Sequence, residues 1–153
     1  MHQGKLLSIA TREKSRGEMH EFDSIGITTE RGCNGDFRGK PGPRQVTVMS
    51  TEAWQATCDE IGSVLDWKSR RANLLVDGLE LENTTGATIA IGDVLLEVTG
   101  ETDPCSRMCE FHPELEKALS TNWRGGVVCR VRQSGHVTTG DSVTLESAAS
   151  KDA

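Results

Sequence analysis

The stretch Thr88-Ile89-Ala90-Ile91-Gly92-Asp93-Val94-Leu95-Leu96-Glu97-Val98-Thr99 reads as two short strands joined by a Gly-Asp turn. Both arms are rich in β-branched and aliphatic residues, and the two-residue turn folds them into a hairpin. A second β-run follows near the C-terminus. It takes in Val127–Arg132, a turn at Gln133-Ser134-Gly135, then Val137–Thr139, Gly140-Asp141 and Val143–Glu146. Sixteen glycines, three phenylalanines and no tyrosine suit a fold of many turns around an aliphatic core.

Upstream of the hairpin, Lys5–Thr11, Ile25–Thr29 and Gln45–Met49 read as strands, and Ala72–Val76 as another, closed by Asp77-Gly78. Gly32–Gly42 reads as a long glycine-rich loop, and long ordered loops are often functional. Ser50 or Thr51 caps a helix that runs to about Ile61, with Glu52 in its first turn and Gly62 as its stop. Asp103-Pro104 starts a short helical turn, and Pro113–Ser120 a further helix with Leu115, Ala118 and Leu119 facing inward. The expectation is a mostly β chain: a closed β-barrel of about seven short strands carrying two or three short helices. Strands around Val46, Val76, Leu96, Val128 and Val143 should close that barrel, with the Trp54 helix outside it. One domain is expected over 1–146, with a flexible tail over 147–153.

A net charge of −6 and no dominant basic face argue against nucleic acid as a partner. No apolar run is long enough to cross a bilayer, and the N-terminus lacks a signal-peptide core, so a cytoplasmic, membrane-free protein is expected. In that compartment the five cysteines should be thiols. Neither G-x-x-x-x-G-K-[ST] nor G-x-G-x-x-G occurs, so no nucleotide cofactor is expected, and no serine nucleophile elbow is present.

Cys105 is the residue with chemistry to explain. With Asp103 as a cap and Pro104 as the first helical residue, it falls at the second helical position, where backbone N–H groups and the helix dipole favour a thiolate. Arg107 and Arg124 would add positive potential. Such a thiolate serves as a nucleophile, a persulfide carrier or a soft metal ligand; the alternative is a small buried thiol. Cys105, Cys109 and His112 are spaced C-x3-C-x2-H, which admits a zinc reading with Cys33, Cys129 or His136 as fourth ligand. Without a C-x2-C pair, zinc is not expected. Cys105 and Cys109 could instead form a reversible disulfide, while Cys58 and Cys129 read as core. Arg44, Arg70, Arg71, Arg107 and Arg124 stand beside strand ends and turns, where a guanidinium suits phosphate or carboxylate, or pairs with one of the chain's own 23 acidic residues. Trp54, Trp67 and Trp123 read as core or rim.

In order along the chain come Gly35-Asp36, Arg44-Gln45-Val46-Thr47, Arg70-Arg71-Ala72-Asn73-Leu74-Leu75-Val76, Ile91-Gly92-Asp93, Pro104-Cys105-Ser106-Arg107-Met108, Arg124-Gly125-Gly126 and Gly140-Asp141. This ordered set resembles the MOSC domain, the molybdenum cofactor sulfurase C-terminal domain, in its small stand-alone bacterial form, over roughly Lys5 to Leu145. The resemblance implies a MOSC barrel of pyruvate-kinase-barrel-like type, with Cys105 as molybdenum ligand or persulfide carrier. It further implies molybdenum cofactor (molybdopterin) contacts from Arg71, Asn73, Ser50 and Thr51, joined by Arg44, Arg107 and Arg124 from the residue-level reading. The partners implied are a sulfur donor such as a cysteine desulfurase, a molybdoenzyme, or an electron-transfer protein if N-hydroxylated substrates are reduced. Pyridoxal phosphate belongs to the wider family; the sequence carries no desulfurase domain that would hold it. Ferredoxin-type cysteine spacing is absent too, so electrons would need a partner. After Gly35-Asp36 stands Phe37-Arg38, where many stand-alone members have a His. Two other readings stay open beside this one: a non-catalytic anion- or pterin-binding module that Cys105 merely lines, and a structural zinc protein.

Overall fold

The structure, a computed structural model, describes residues 2–14, 17–37, 39–70, 72–102 and 106–147. In chain order its strands are β1 (His2–Thr11), β2 (His20–Phe22), β3 (Ser24–Thr28), β4 (Gly32–Cys33), β5 (Val46–Ser50) and β6 (Leu74–Asp77). The remainder are β7 (Thr88–Ile91), β8 (Val94–Glu101), β9 (Val127–Gln133), β10 (Gly135–Thr138) and β11 (Ser142–Glu146). Helix α1 (Thr51–Ile61) joins β5 to β6, and α2 (Leu115–Leu119) lies between β8 and β9. Single 3-10 turns occupy Trp67–Arg70 and Ser106–Glu110.

The β7–β8 hairpin is as read from sequence: Ile91 faces Val94, and Gly92 takes the left-handed φ of 56° that the turn requires. From β8 the sheet continues through β9, β5, β6 and β1, and β11 pairs with both β7 and β1 to close the ring. Of the sheet's eight strands, all but β2 belong to this closed barrel of seven; β2 pairs with β1. Closure leaves the barrel strands no free edge. The five strands expected to close the barrel are all in it.

Two clusters of apolar side chains explain which strands read as alternating and which as continuous. Inward residues of the barrel strands, among them Leu6, Val46, Val48, Leu74, Val76, Ile91, Leu96, Cys129 and Val143, fill the interior. The outward faces of β1, β5 and β6 are buried as well, by α1, α2 and the 3-10 turns. There Ala10, Met49 and Leu75 meet Trp54, Cys58, Ile61, Trp67, Met108, Leu115 and Leu119. The Trp54 helix therefore packs outside the barrel, as its apolar stripe requires. The two buried tryptophans find acceptors for their N–H groups: Trp54 Nε1 donates to the Leu65 carbonyl at 3.0 Å, and Trp67 Nε1 to Glu21 Oε1 at 3.3 Å. Trp123 sits half-buried at the rim of the interior cluster.

Several boundaries differ from the sequence reading. Cys33 pairs with Ile27, so the glycine-rich loop opens with the two residues of β4, too short to read from pattern. β10 leaves the second β-run and pairs with β3, forming a three-stranded sheet with β4. α2 begins at Leu115, without a side-chain cap, rather than at Pro113. The expected helix start at Asp103-Pro104 and the last residues of the tail lie outside the described residues. Among the described residues, no helix is long and apolar enough to cross a membrane.

Candidate functional site

β5 and β6 run parallel, with Ser50 level with Val76, and β9 runs against β5, with Val48 level with Val127. The C-terminal ends of β5, β6 and β8 and the N-terminal end of β9 therefore share one rim. Here β5 passes directly into α1. Ser50 is the N-cap: its Oγ accepts from the Ala53 N–H at 3.1 Å. Gly62 ends the helix at a left-handed φ of 69°. Glu52, in the first turn, accepts from the Gly78 N–H at 3.1 Å and ties the helix start to the end of β6.

A groove of about 550 Å³ opens at this rim, lined by Ser50, Glu52, Ala53, Ala56, Gly78, Leu79, Glu80, Glu82, Asn122 and Arg124. Arg124 enters from an unusual turn. Asn122 and Trp123 both have positive φ, at 51° and 58°, and Gly126 follows at 90°. Asparagine tolerates the left-handed region, but a tryptophan there is strained by roughly 1–3 kcal/mol, and such strain collects at functional sites. Hydrogen bonds from Arg124 N to the Thr121 carbonyl, 3.0 Å, and from Gly126 N to the Trp123 carbonyl, 2.9 Å, hold the turn. The Arg124 side chain is 18% exposed, and its Nη1 meets Glu60 Oε1 at 2.7 Å. Beside the turn, the Thr102 N–H donates to the Gly126 carbonyl at 3.0 Å. The Thr102 hydroxyl is buried with no hydrogen-bond partner among the described residues.

The structure brings only part of the expected site together. Ser50 and Arg124 share the groove, and Thr51 is the first residue of α1. Arg44 is exposed just before β5, at the far end of that strand from Ser50, about 20 Å away at strand rise. Asn73 lies three residues before Val76 and is 5% exposed. Its Oδ1 accepts from Thr47 N at 3.0 Å and Thr47 Oγ1 at 3.2 Å, and its Nδ2 donates to the Ala10 carbonyl at 3.2 Å. That carboxamide joins β1, β5 and β6 instead of facing the groove. Cys105 and Arg71 lie outside the described residues, and so does the side chain of Arg107; Thr102 and Ser106 flank the Cys105 segment. Glu52, Glu60, Glu80, Glu82 and the Asn122-Trp123 turn were not legible as site residues, because only the tertiary fold gathers them.

The remaining cysteines sort by burial. Cys33 and Cys129 are fully enclosed in the barrel interior, and that burial raises both thiols far above their ordinary value, with smaller contributions from Asp36 and Glu97 respectively. Neither is placed to be the fourth ligand of a surface zinc site, and His136 sits on β10 with its Nε2 3.4 Å from Ser24 Oγ. Among the described residues, no group of three His, Cys, Asp or Glu is arranged to hold a metal ion. Cys109 is exposed. Brief alkylation of the folded protein at pH 8 is therefore expected to label Cys109 and to spare Cys33 and Cys129 until denaturant is added. Peptide mass mapping checks this, and early labelling of Cys129 would contradict the enclosed interior.

Phe37 stands in the glycine-rich loop with the Arg12 guanidinium 5.9 Å from its ring centroid. The Phe37 N–H donates to the Arg12 carbonyl at 2.7 Å, and the Arg12 N–H to Asp36 Oδ1 at 3.1 Å. The Gly35-Asp36 loop is thus fastened to the end of β1.

A closed barrel with a β-strand–helix junction and an arginine-bearing groove at one rim defines the class. The MOSC domain model matches residues 34–144, and the chain belongs to that family. Among solved structures, it is similar to the YuaD protein of Bacillus subtilis, with a TM-score of 0.80 and 21% identity over 96% of this chain and 99% of that one. The YiiM proteins of Geobacillus stearothermophilus and Escherichia coli are also similar, each with a TM-score of 0.71. Their identities are 19% and 20%, over 95% and 94% of this chain and 80% and 70% of theirs. At these identities the likeness is one of fold. No curated protein matches the chain.

Proposed function

We propose that this MOSC-family protein handles sulfur or molybdenum cofactor through Cys105, with Arg124 receiving the anionic part of the ligand. The observation that supports this most is the strained Asn122-Trp123 turn, which sets the largely enclosed Arg124 into the lining of a groove beside the first half of α1. Cys105 follows Thr102 by three residues, and Thr102 is hydrogen-bonded to that same turn.

Arg124 suits a phosphate, and Glu80 and Glu82 suit the N–H donors of a pterin. The Thr102 hydroxyl, buried with no partner among the described residues, adds a donor beside the Arg124 turn. These residues fit a ligand that is anionic at one end and rich in N–H groups at the other. Cys105 would be the metal ligand, with Arg71 and Arg107 adding positive charge, and the bound group would supply a redox-active molybdenum centre. As a sulfur carrier the chain needs no metal. The Cys105 thiolate attacks the outer sulfur of a donor persulfide, the donor's S–S bond breaks, and the donor leaves as a thiolate while Cys105 becomes the persulfide. A cysteine desulfurase fits the donor's role and a molybdoenzyme the acceptor's; reduction of an N-hydroxylated substrate would need an electron-transfer partner.

Because the described groove is built without Cys105, a purely binding role is the alternative, in which Cys105 only lines the site. The Cys105→Ser variant separates the two. Sulfur loading or molybdenum retention is expected to vanish in that variant under the sulfur or molybdenum reading, and ligand retention to persist unchanged under the binding reading. The readouts are peptide mass and metal analysis.

A further inference from the structure

Arg124 is not waiting empty-handed. Its Nη1 is 2.7 Å from Glu60 Oε1 and 3.4 Å from the Ala118 carbonyl, while Nε and Nη2 have no partner among the described residues. The two members of the pair are unequally held. Arg124 springs from the strained turn with 18% of its side chain exposed, whereas Glu60 is 47% exposed at the end of α1 and can swing into water.

Glu60 is also poorly placed for helix stability. Asp59 and Glu60 both fall in the last turn of α1, which carries no basic residue, and the helix dipole disfavours carboxylates there. From these features we infer that Glu60 is a built-in competitor for Arg124: its carboxylate occupies the guanidinium until a ligand anion displaces it. The inference rests on Arg124 being the anion contact of the proposed function, and it adds a threshold to that contact. The Glu60 carboxylate supplies the negative charge that a phosphate would otherwise bring to the guanidinium, so each weakens the hold of the other. With Arg124 neutralised, an approaching anion meets Glu52, Glu80 and Glu82 along the groove. A lone inorganic anion is thereby held off, and a larger ligand that brings further contacts of its own can displace Glu60. Glu60 acts as a specificity-determining residue without touching the reacting atoms.

The test is a chemical-shift titration of the full chain with inorganic phosphate, following the amides of Arg124, Gly125 and Gly126. Wild type, Glu60→Gln, Arg124→Gln and the double variant are compared. Phosphate is expected to bind Glu60→Gln on the order of fivefold more tightly than wild type, the scale of one partly exposed ion pair. Arg124→Gln should abolish the response, with or without Glu60. Equal or weaker binding by Glu60→Gln, with the Arg124→Gln loss intact, overturns the competitor role alone and makes Glu60 a positioning residue. No response in wild type and none in Glu60→Gln overturns both the competitor role and the anion reading of Arg124.

Discussion

Replacing Gly126 by alanine is expected to destabilise the protein by about 4 kcal/mol and to lower its melting temperature by more than about 10 °C. Gly126 has a φ of 90°, a region closed to most L-residues, and a Cβ there would overlap the carbonyl oxygen of Val48 on β5. The overlapping atom is backbone in the middle of the barrel wall, so no side chain can yield. Relief must come from moving the turn that carries Arg124, and with it the Gly126 carbonyl that accepts from Thr102. Gly100→Ala is the control: nothing lies within 4 Å of its Cβ direction, and its φ is not positive. That variant should melt within about 2 °C of wild type. Thermal unfolding followed by circular dichroism gives both numbers, and similar melting of the two variants would contradict the close approach at the rim.

Gln45→Leu is the second large effect. Gln45 is 1% exposed, yet its side chain is fully used. Nε2 donates to the carbonyls of Thr29 and Gly39, at 2.8 and 3.3 Å, and Oε1 accepts from the Val131 N–H at 2.9 Å. One carboxamide thus fastens the segment after β3, the glycine-rich loop and β9 at the start of β5. Leucine matches the volume but strands a buried backbone N–H and at least one carbonyl, and each orphaned group costs about 1–3 kcal/mol. A loss of about 3 kcal/mol, read as a drop of roughly 8 °C in melting temperature, is expected. A neutral or stabilising result would show that the loop does not depend on this residue.

The strongest local signals proved legible. The β7–β8 hairpin is written in two aliphatic arms around Gly92-Asp93, and α1 in its Ser50 cap and Gly62 stop, because turn and cap chemistry act over only a few residues. β2 and β4 were missed, since three and two residues carry no periodicity. The site was harder to read. Arg44 and Ser50 are close in sequence, yet extended β5 holds them at opposite ends. Asn73 was expected at the cofactor, but its bond to the Ala10 carbonyl, 63 residues away, engages it as a joint between strands. The Arg124–Glu60 pair spans 64 residues. Nothing in the side chain of Trp123 announces a left-handed backbone; tertiary packing against the barrel cluster overrides its own preference.

If Cys105 handles sulfur or molybdenum beside an anion-binding rim, as proposed, the mass of its peptide will register the load. The protein is incubated anaerobically with a cysteine desulfurase and cysteine, or with molybdenum cofactor, and then digested without reductant. The expected result is either one added sulfur atom on Cys105 and not on Cys33 or Cys129, or molybdenum and pterin retained by wild type and lost in Cys105→Ser. An unmodified Cys105 after sulfur loading, together with no molybdenum retained after cofactor loading, would contradict it.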